Sequence, residues 1–304
     1  MLPGKTACYD LAVPFDQNFV RTLEALRILV RKVRSGGNRG DRVSPRKGGS
    51  IEFSGHRAYT PGDEIRYIDW NIYARHDNLF VKEFSAEENV HVTLLLDTSA
   101  SMGFGTPSKF DGAREIAAAL AYIGLSHFDS VSLFSFDSVL RGRRKFLRGR
   151  NRIFDLLEEL ERMTPEGRSD FRAAFSSTLP RGKGRSHAVL LTDGYDTEGI
   201  IAAIQGLQAQ TFEVHLVHLV SREEMSPTLR GRYSLADLET GRRLEATLLP
   251  SVLERYRRRF SAFCQDLERT AREREVSHAR VCVDDSLEDR VLEIVRSGGV
   301  LERR

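Results

Sequence analysis

The chain has 304 residues, of which 40% are hydrophobic and 29% charged, a composition that is typical of a globular protein and excludes a largely disordered one. Its 46 basic and 43 acidic residues leave a net charge of only +3, so the charge balance does not demand a nucleic-acid partner. The three cysteines, Cys8, Cys264 and Cys282, are odd in number and widely spaced, which excludes a disulfide framework and predicts reduced thiols in a cytoplasmic protein.

The N-terminal part predicts one helix and one loop. We expect neither a secretion signal nor a membrane-spanning segment, because no run approaches the ~20 apolar residues that cross a bilayer. A helix is predicted over residues 16–33, where apolar side chains recur on one stripe with arginines around it. Residues 38–50, rich in Gly, Arg and Lys, predict a loop without the interleaved aromatic residues that stack on single-stranded nucleic acid.

Residues 55–75 form the most individual stretch of the chain. Pro61-Gly62 suits a type II turn, and Trp70, the one tryptophan, lies among three tyrosines and several Arg and Asp residues. The charged residues could be catalytic acids and bases, or the stretch could be a docking segment locked by burial of Trp70 and by Arg–Asp hydrogen bonds. We prefer the docking segment, because no nucleophile or histidine relay accompanies the charges. A short strand over residues 79–84 follows.

A buried strand is predicted over residues 92–96, and it ends in Asp97-Thr98-Ser99-Ala100-Ser101. One carboxylate and two hydroxyls therefore follow directly on a strand, before a glycine-containing loop and a helix that begins near Lys109. Oxygen ligands of this kind suit Mg²⁺. The same side chains could instead satisfy the amides of a turn and cap the helix, and this segment alone supports both interpretations equally.

Two further segments favour the metal site. A second buried strand over residues 188–191 ends in Thr192-Asp193-Gly194, which supplies a second carboxylate. Between the two strands, residues 167–171 open a predicted helix over residues 171–178 and offer a third hydroxyl at Ser169. Ligands of open parallel sheets bind beyond the carboxyl ends of the strands, so we expect all three segments to bring oxygens to one edge.

This constellation resembles the metal-ion-dependent adhesion site of von Willebrand factor A domains. The resemblance implies that Mg²⁺ or Mn²⁺ is bound by Asp97, Ser99, Ser101, Ser169 and Asp193. Those domains usually carry threonine in the third segment, and Asp170 stays open as the alternative to Ser169. The neighbouring residues are candidates for contact with a protein partner, and they are Thr98, Met102, Gly103 and Gly194.

The rest of the chain alternates strands and helices. Strands are predicted over residues 131–136, 212–220 and 280–283, and helices over residues 153–160, 200–207 and 287–295. This alternation predicts an α/β fold with a mostly parallel sheet and helices on both faces. A hairpin over residues 233–248 and a long charged helix over residues 252–274 form an insertion, at about residues 228–275, before the last strand.

Two motifs, R-x-Y-x-P-G-D-x-x-R-x-I-D-W-N-x-Y-A-R and L-L-L-D-T-S-A-S-M, occur in this order over residues 57–102. They closely resemble the domain-of-unknown-function 58 family, whose members are similar to von Willebrand factor A domains. The resemblance implies a Rossmann-like domain of that type at residues 89–304, after a family-specific helical and β extension at residues 1–88. It also implies a MoxR-type AAA+ ATPase as partner, since many relatives are encoded beside one. Many relatives carry N-terminal membrane helices, which this sequence lacks.

We therefore predict a metal-dependent protein-binding module and not an enzyme. An acidic side chain of the partner would complete the coordination of the metal, and the module would serve the ATPase in chaperone-like assembly. The alternative is a metal-dependent hydrolase, but G-x-S-x-G, H-E-x-x-H and a second carboxylate cluster are all absent from the sequence. A nucleic-acid adaptor that uses residues 38–50 is the weaker third alternative, and a steep dependence of its binding on salt concentration would distinguish it from the other two.

Overall fold

The computed structural model describes residues 15, 17–37, 51–76, 78–86, 90–127, 129–142, 146–175, 179 and 185–298. The basic loop predicted at residues 38–50 and the thiol of Cys8 lie outside these residues. The chain divides into a larger unit, Met1–Gly36 with Val90–Arg303, and a smaller unit, Gly37–Asn89.

The strands are β1 (Ile51–Ala58), β2 (Phe80–Ala86), β3 (His91–Asp97), β4 (Ser130–Phe136), β5 (Leu140–Gly142), β6 (Leu147–Arg148), β7 (Ser186–Thr192), β8 (Phe212–Val220), β9 (Gly231–Ala236), β10 (Arg243–Leu248) and β11 (Ser277–Cys282). The α-helices are α1 (Gln17–Gly37), α2 (Trp70–His76), α3 (Lys109–Ser126), α4 (Ile153–Glu161), α5 (Phe171–Ala174), α6 (Thr197–Ala209), α7 (Arg222–Met225), α8 (Pro250–Glu273) and α9 (Leu287–Arg296).

A mostly parallel sheet forms the centre of the larger unit. Strands β11, β8, β7, β3 and β4 run parallel in that order, and the short strands β5 and β6 pair antiparallel with β4. Strands β3, β4 and β7 are buried at every position. This explains their nearly continuous apolar sequences, because a parallel strand covered on both faces has no solvent-facing side.

Helices cover both faces of this sheet. Side chains of a strand point alternately to its two faces. Leu94 accordingly belongs to a core to which α1, α3, α4 and α9 contribute, and Leu95 belongs to a second core with side chains of α5, α6 and α8. The predicted α/β fold, with a mostly parallel sheet between helices, is confirmed at this level. Strand β8 has the predicted bounds, and the predicted insertion consists of the β9–β10 hairpin and α8.

Helix α1 belongs to the larger unit, although the sequence analysis grouped residues 1–88 as one N-terminal segment. Its apolar stripe supplies three fully buried side chains, Leu23, Leu26 and Val30, to the core shared with α3. An amphipathic helix that buries its stripe in this way is held by packing and not by its neighbours in sequence.

The smaller unit pairs β1 with β2 and adds the short helix α2. Neither β1 nor α2 was predicted, although Asp69 caps α2 by accepting the N–H of Asn71 at 3.0 Å. The predicted turn at Pro61-Gly62 is confirmed, with Gly62 at φ +111° and a hydrogen bond from Asp63 N–H to the Thr60 carbonyl. The predicted burial of Trp70 is wrong: the residue is 57% exposed.

Among the described residues, no helix combines the length and the apolar character needed to cross a membrane.

Candidate functional site

Asp97 lies at the carboxyl end of β3, beside the end of β7. It is fully buried, and both carboxylate oxygens accept hydrogen bonds, Oδ1 from the Ser99 N–H at 2.9 Å and Oδ2 from the Thr192 hydroxyl at 2.6 Å. Burial, and then the charge of Asp193, raise the pKa of Asp97 to about 7. A bound cation would stabilise the ionised form of this carboxyl group.

The two serines of the first segment lie together. A 3₁₀ turn over Ala100–Gly103 brings the Ser99 and Ser101 hydroxyl oxygens to 3.1 Å from each other. Neighbouring ligands of an octahedral Mg²⁺, each ~2.1 Å from the metal, are themselves about 3 Å apart. The spacing of the two hydroxyls is therefore that of two adjacent ligand positions.

Backbone hydrogen bonds attach the third segment to the first. The Ala100 N–H donates to the Gly167 carbonyl at 3.0 Å, and the Glu166 N–H donates to the Thr98 carbonyl at 2.7 Å. The hydroxyl of Ser169 is buried and has no hydrogen-bond partner in the described part of the chain. Buried polar atoms of this kind usually have a ligand, so Ser169 fits the metal-ligand role.

Asp170, the alternative to Ser169, has another task. Its carboxylate accepts the N–H of Ala173 at 3.0 Å and caps helix α5, and the residue is exposed. The geometry therefore favours Ser169 as the ligand from the third segment.

A buried cation, which the sequence analysis missed, lies beside Asp193. The ammonium of Lys109, fully buried at the start of α3, donates to Asp193 Oδ2 at 2.8 Å and also to Glu224 Oε1. The Tyr195 hydroxyl donates to the same oxygen of Glu224 at 2.8 Å. Ser221 and Glu224 form a capping box at the start of α7, which fixes the position of Glu224.

Glu239, at the tip of the β9–β10 hairpin, also reaches the site. Burial raises the pKa of Glu239, whereas hydrogen bonds from the Ser101 hydroxyl and from the Ser169 N–H act in the opposite direction. The Arg168 guanidinium lies 4.0 Å from the carboxylate, and the Glu239 side chain is only 21% exposed. The sequence predicts the hairpin over residues 233–248 but indicates no role for Glu239.

The charges and donor atoms of this edge fit a hard divalent cation. The carboxylates of Asp193 and Glu224 pair with the ammonium of Lys109, that of Glu239 lies 4.0 Å from the Arg168 guanidinium, and that of Asp97 lies close enough to Asp193 for the two charges to repel. With all of these groups ionised, two negative charges remain uncompensated. The nearby donors are oxygens, which suit Mg²⁺ or Mn²⁺ better than softer metals.

The four candidate partner-contact residues are mostly inaccessible. Thr98, Met102 and Gly194 are buried and Gly103 is half-buried, and contact of these residues with a partner stays a prediction. Thr98 donates its hydroxyl to the Phe136 carbonyl, and Met102 is part of the hydrophobic core. Three exposed aromatic side chains line the cavity at this edge instead, and they are Phe104, Tyr195 and Tyr256.

A cavity of about 970 Å³ opens over the site. It is lined from the sheet side by Ser101, Lys109 and Ser169, and from the insertion by Glu239 and Tyr256. Pockets that hold a few convergent polar groups are the usual location of ligand sites.

A second cluster lies at the opposite edge of the sheet, where β7 and β8 begin. Three residues, His187, Glu213 and His215, each offer one possible metal-ligand atom, and these three atoms lie within 4.8 Å of one another. His187 Nδ1 is 2.9 Å from His215 Nε2, His215 Nδ1 is 2.7 Å from the Ser277 hydroxyl, and Glu213 accepts from Arg185 at 2.7 Å. These groups satisfy one another, and imidazole nitrogens are not the donors that Mg²⁺ prefers.

A family model and several known proteins match this chain. The family model described as Protein of unknown function DUF58 matches residues 55–271. Uncharacterized proteins of Mycobacterium tuberculosis and Mycobacterium bovis are each 25% identical over 262 residues, which cover 84% of this chain and 82% of the relative.

Two similar solved structures come from Bacteroides. An aerotolerance-related membrane protein from Bacteroides fragilis is 18% identical, with a TM-score of 0.45, over 69% of this chain and 98% of that chain. The conserved hypothetical protein BatB from Bacteroides thetaiotaomicron is 16% identical, with a TM-score of 0.44, over the same shares of the two chains.

Proposed function

The chain belongs to the DUF58 family, and on that premise we propose that it is a metal-dependent protein-binding module with a von Willebrand factor A-like fold. Its Mg²⁺ or Mn²⁺ site is of the adhesion type. One observation carries the proposal: three separate segments bring oxygen atoms to one sheet edge, and the buried hydroxyl of Ser169 has no partner among the described residues.

In this proposal each ligand has a distinct task. Asp97 and Asp193 supply the charge, and the hydroxyls of Ser99, Ser101 and Ser169 supply neutral oxygens. The metal, when bound, offers a coordination position to a carboxylate from outside the site. Thr192 and the Ser99 N–H hold the Asp97 carboxylate in place through their hydrogen bonds to its two oxygens.

The arrangement of the hydroxyls supports binding and not catalysis. An activated serine nucleophile needs an adjacent general base, usually a histidine. Here the Ser99 and Ser101 hydroxyls lie next to each other, and Ser101 also faces the Glu239 carboxylate. We propose that this site performs no bond-making or bond-breaking step.

The partner proposed from the family resemblance is a MoxR-type AAA+ ATPase, which the module would serve in chaperone-like assembly or maturation. We propose a cytoplasmic location for this pair. The free thiols of Cys264 and Cys282 support it, because reduced cysteines are usual in that compartment.

The test is a binding assay between the purified protein and a MoxR-type ATPase, in excess Mg²⁺ and in excess EDTA. We expect Ser101→Ala to weaken binding about tenfold or more in Mg²⁺, since loss of one metal-site group commonly has this effect. Ser138→Ala, on the rim of the same cavity, is the matched control and should bind like wild type. Equal binding in EDTA, with no effect of Ser101→Ala, would contradict the proposal.

A further inference from the structure

We propose that Glu239, from the β9–β10 hairpin, is a resident ligand of the metal site and holds the position that a partner's carboxylate would take. The inference rests on the metal-dependent binding proposed above and adds to it a competitor built into the same chain. A partner would then bind only by displacing the hairpin tip.

The position of Glu239 is the first support. Its side chain is only 21% exposed, it lies 4.0 Å from the guanidinium of Arg168, the neighbour of Ser169, and it lines the same cavity as Ser101 and Ser169. Its carboxylate therefore lies beside two of the three segments that form the site. A cation bound to the Ser101 and Ser169 hydroxyls would share this cavity with the Glu239 carboxylate.

The hairpin tip is built to present this side chain. The carboxylate of Asp237 accepts the N–H of Glu239 at 3.1 Å and that of Thr240 at 2.6 Å, which closes a compact turn. Gly241 has φ +68° and donates its N–H to the Asp237 carbonyl at 2.9 Å. Because the backbone of the tip is fixed by these bonds, Glu239 needs little ordering to reach the site.

The strands of the hairpin have little other support. Every residue of β9 is exposed, and most of β10 is exposed as well. Within the described ranges the two strands pair with no further strand, and an isolated two-stranded hairpin is marginally stable in water. The contacts of Glu239 therefore add to what holds the tip over the site, and their loss would weaken that hold.

Charge explains why the contact can be exchanged. Glu239 adds a fourth carboxylate to those of Asp97, Asp193 and Glu224, of which the last two pair with Lys109. A divalent cation would attract this carboxylate when bound, and an acidic side chain of a partner offers the same chemistry in its place. A partner's carboxylate would therefore displace the hairpin only if it binds the metal more tightly than Glu239 does.

The test measures Mn²⁺ binding to the full chain by calorimetry and counts the water molecules on Mn²⁺ by water-proton relaxation. We expect Glu239→Gln to weaken Mn²⁺ binding about tenfold or more and to add one bound water. Glu245→Gln is the matched control, because it removes the same charge from an exposed position on β10 of the same hairpin. Hydrogen exchange of residues 237–242 should slow on addition of Mn²⁺ in wild type and not in Glu239→Gln.

The outcomes separate this inference from the proposed function. If wild type binds Mn²⁺ and Glu239→Gln matches it in affinity, bound water and hydrogen exchange, Glu239 is not a ligand, while the metal site stands. If wild type binds no Mn²⁺, both proposals fail. Glu239→Asp shortens the side chain by one methylene. Its Mn²⁺ affinity should fall between those of wild type and Glu239→Gln, which would confirm that the length of the side chain affects metal binding.

Discussion

Replacing Lys109 by Met removes the one ammonium that the buried carboxylates of Asp193 and Glu224 share. Lys109 is fully buried, its Nζ is 2.8 Å from Asp193 Oδ2, and it lies 4.8 Å from the centre of the Tyr195 ring. Methionine preserves most of the length and apolar stem of the side chain. The substitution therefore tests the charge and not the packing of this position.

The expected cost follows from burial. Exposed ion pairs contribute about 0–1 kcal/mol, whereas removing one partner of a buried pair costs about 3–5 kcal/mol, because the remaining charge stays out of water. Two carboxylates lose their cation here, and both are largely buried. We therefore expect Lys109→Met to lower the free energy of unfolding by about 3–5 kcal/mol at pH 7. For a domain of this size that corresponds to roughly 6–20 °C in Tm.

Scanning calorimetry in EDTA and in saturating Mg²⁺ measures this effect. In Mg²⁺ the loss should be smaller, since a divalent cation bound only to the folded state stabilises it and compensates the freed carboxylates. The control is Arg272→Met on α8, which removes a cation from an exposed pair with Glu268 and should change stability by less than about 1 kcal/mol. If Lys109→Met has the same Tm in EDTA as the control variant, the ion pairs of Lys109 with Asp193 and Glu224 do not stabilise this edge of the sheet.

Three further predictions concern other parts of the chain. Burial and the neighbouring His187 lower the pKa of His215 to about 3, below its value of ~6.5 in the unfolded chain. The neutral imidazole therefore stabilises the folded state fully above pH 6.5, and this stabilisation is lost as the pH falls towards 3. Between pH 7 and 5, wild type should lose about 2 kcal/mol more than His215→Gln in urea unfolding, and equal losses would contradict the assignment. Gly194→Ala should cost about 1–3 kcal/mol in the same assay, because its φ is +80° and a Cβ would lie 2.7 Å from a leucine methyl of α8. By contrast, Gly206→Ala, in the last turn of α6 with open space around the added Cβ, should gain about 0.5–1 kcal/mol. Trp70→Ala should change the free energy of unfolding by less than about 1 kcal/mol, because its indole is exposed. Ile68→Ala should cost about 2–4 kcal/mol, because the isoleucine is buried. If thermal melts show the larger loss for Trp70→Ala, the docking role of the tryptophan would be restored.

The residues that follow directly on a strand were predictable. Asp97 and Asp193 each end a short apolar run, and the parallel order of β3 and β7 puts the ends of both runs at the same edge. Ser169 follows no strand, yet its segment could be found because a hydroxyl precedes the capping residue of a helix.

The residues that arrive from elsewhere were not predictable in this way. Lys109 meets Asp193 across 84 positions of the chain and Glu224 across 115. A lysine at a helix start has no periodic signature, so only packing reveals that it is buried. The Ser221-x-x-Glu224 spacing did carry a signal, since a capping box predicts a helix that begins there, and α7 begins at Arg222. Glu239 lies within the hairpin predicted over residues 233–248, but nothing local indicates which edge of the sheet the tip of that hairpin reaches.

The fold shows the same division between local and distant signals. Buried parallel strands have continuous apolar runs, and these predicted β3, β7 and β8. Strand β1 pairs with β2 and contains Gly55, His56 and Arg57, so no apolar run marks it. The exposure of Trp70 depends on how α2 lies in the smaller unit, which its sequence does not encode locally.

The most direct test of the account is a calorimetric titration of the purified full chain with Mg²⁺ and Mn²⁺. We predict one divalent ion per chain, with binding lost or weakened about a hundredfold in Asp97→Asn, because this substitution removes a buried ligand charge. Asp170→Asn, at the helix cap, and His215→Gln, at the opposite sheet edge, should bind like wild type. Equal binding by Asp97→Asn and wild type would contradict a metal site at the end of β3, and loss of binding in His215→Gln alone would move the site to the histidine cluster.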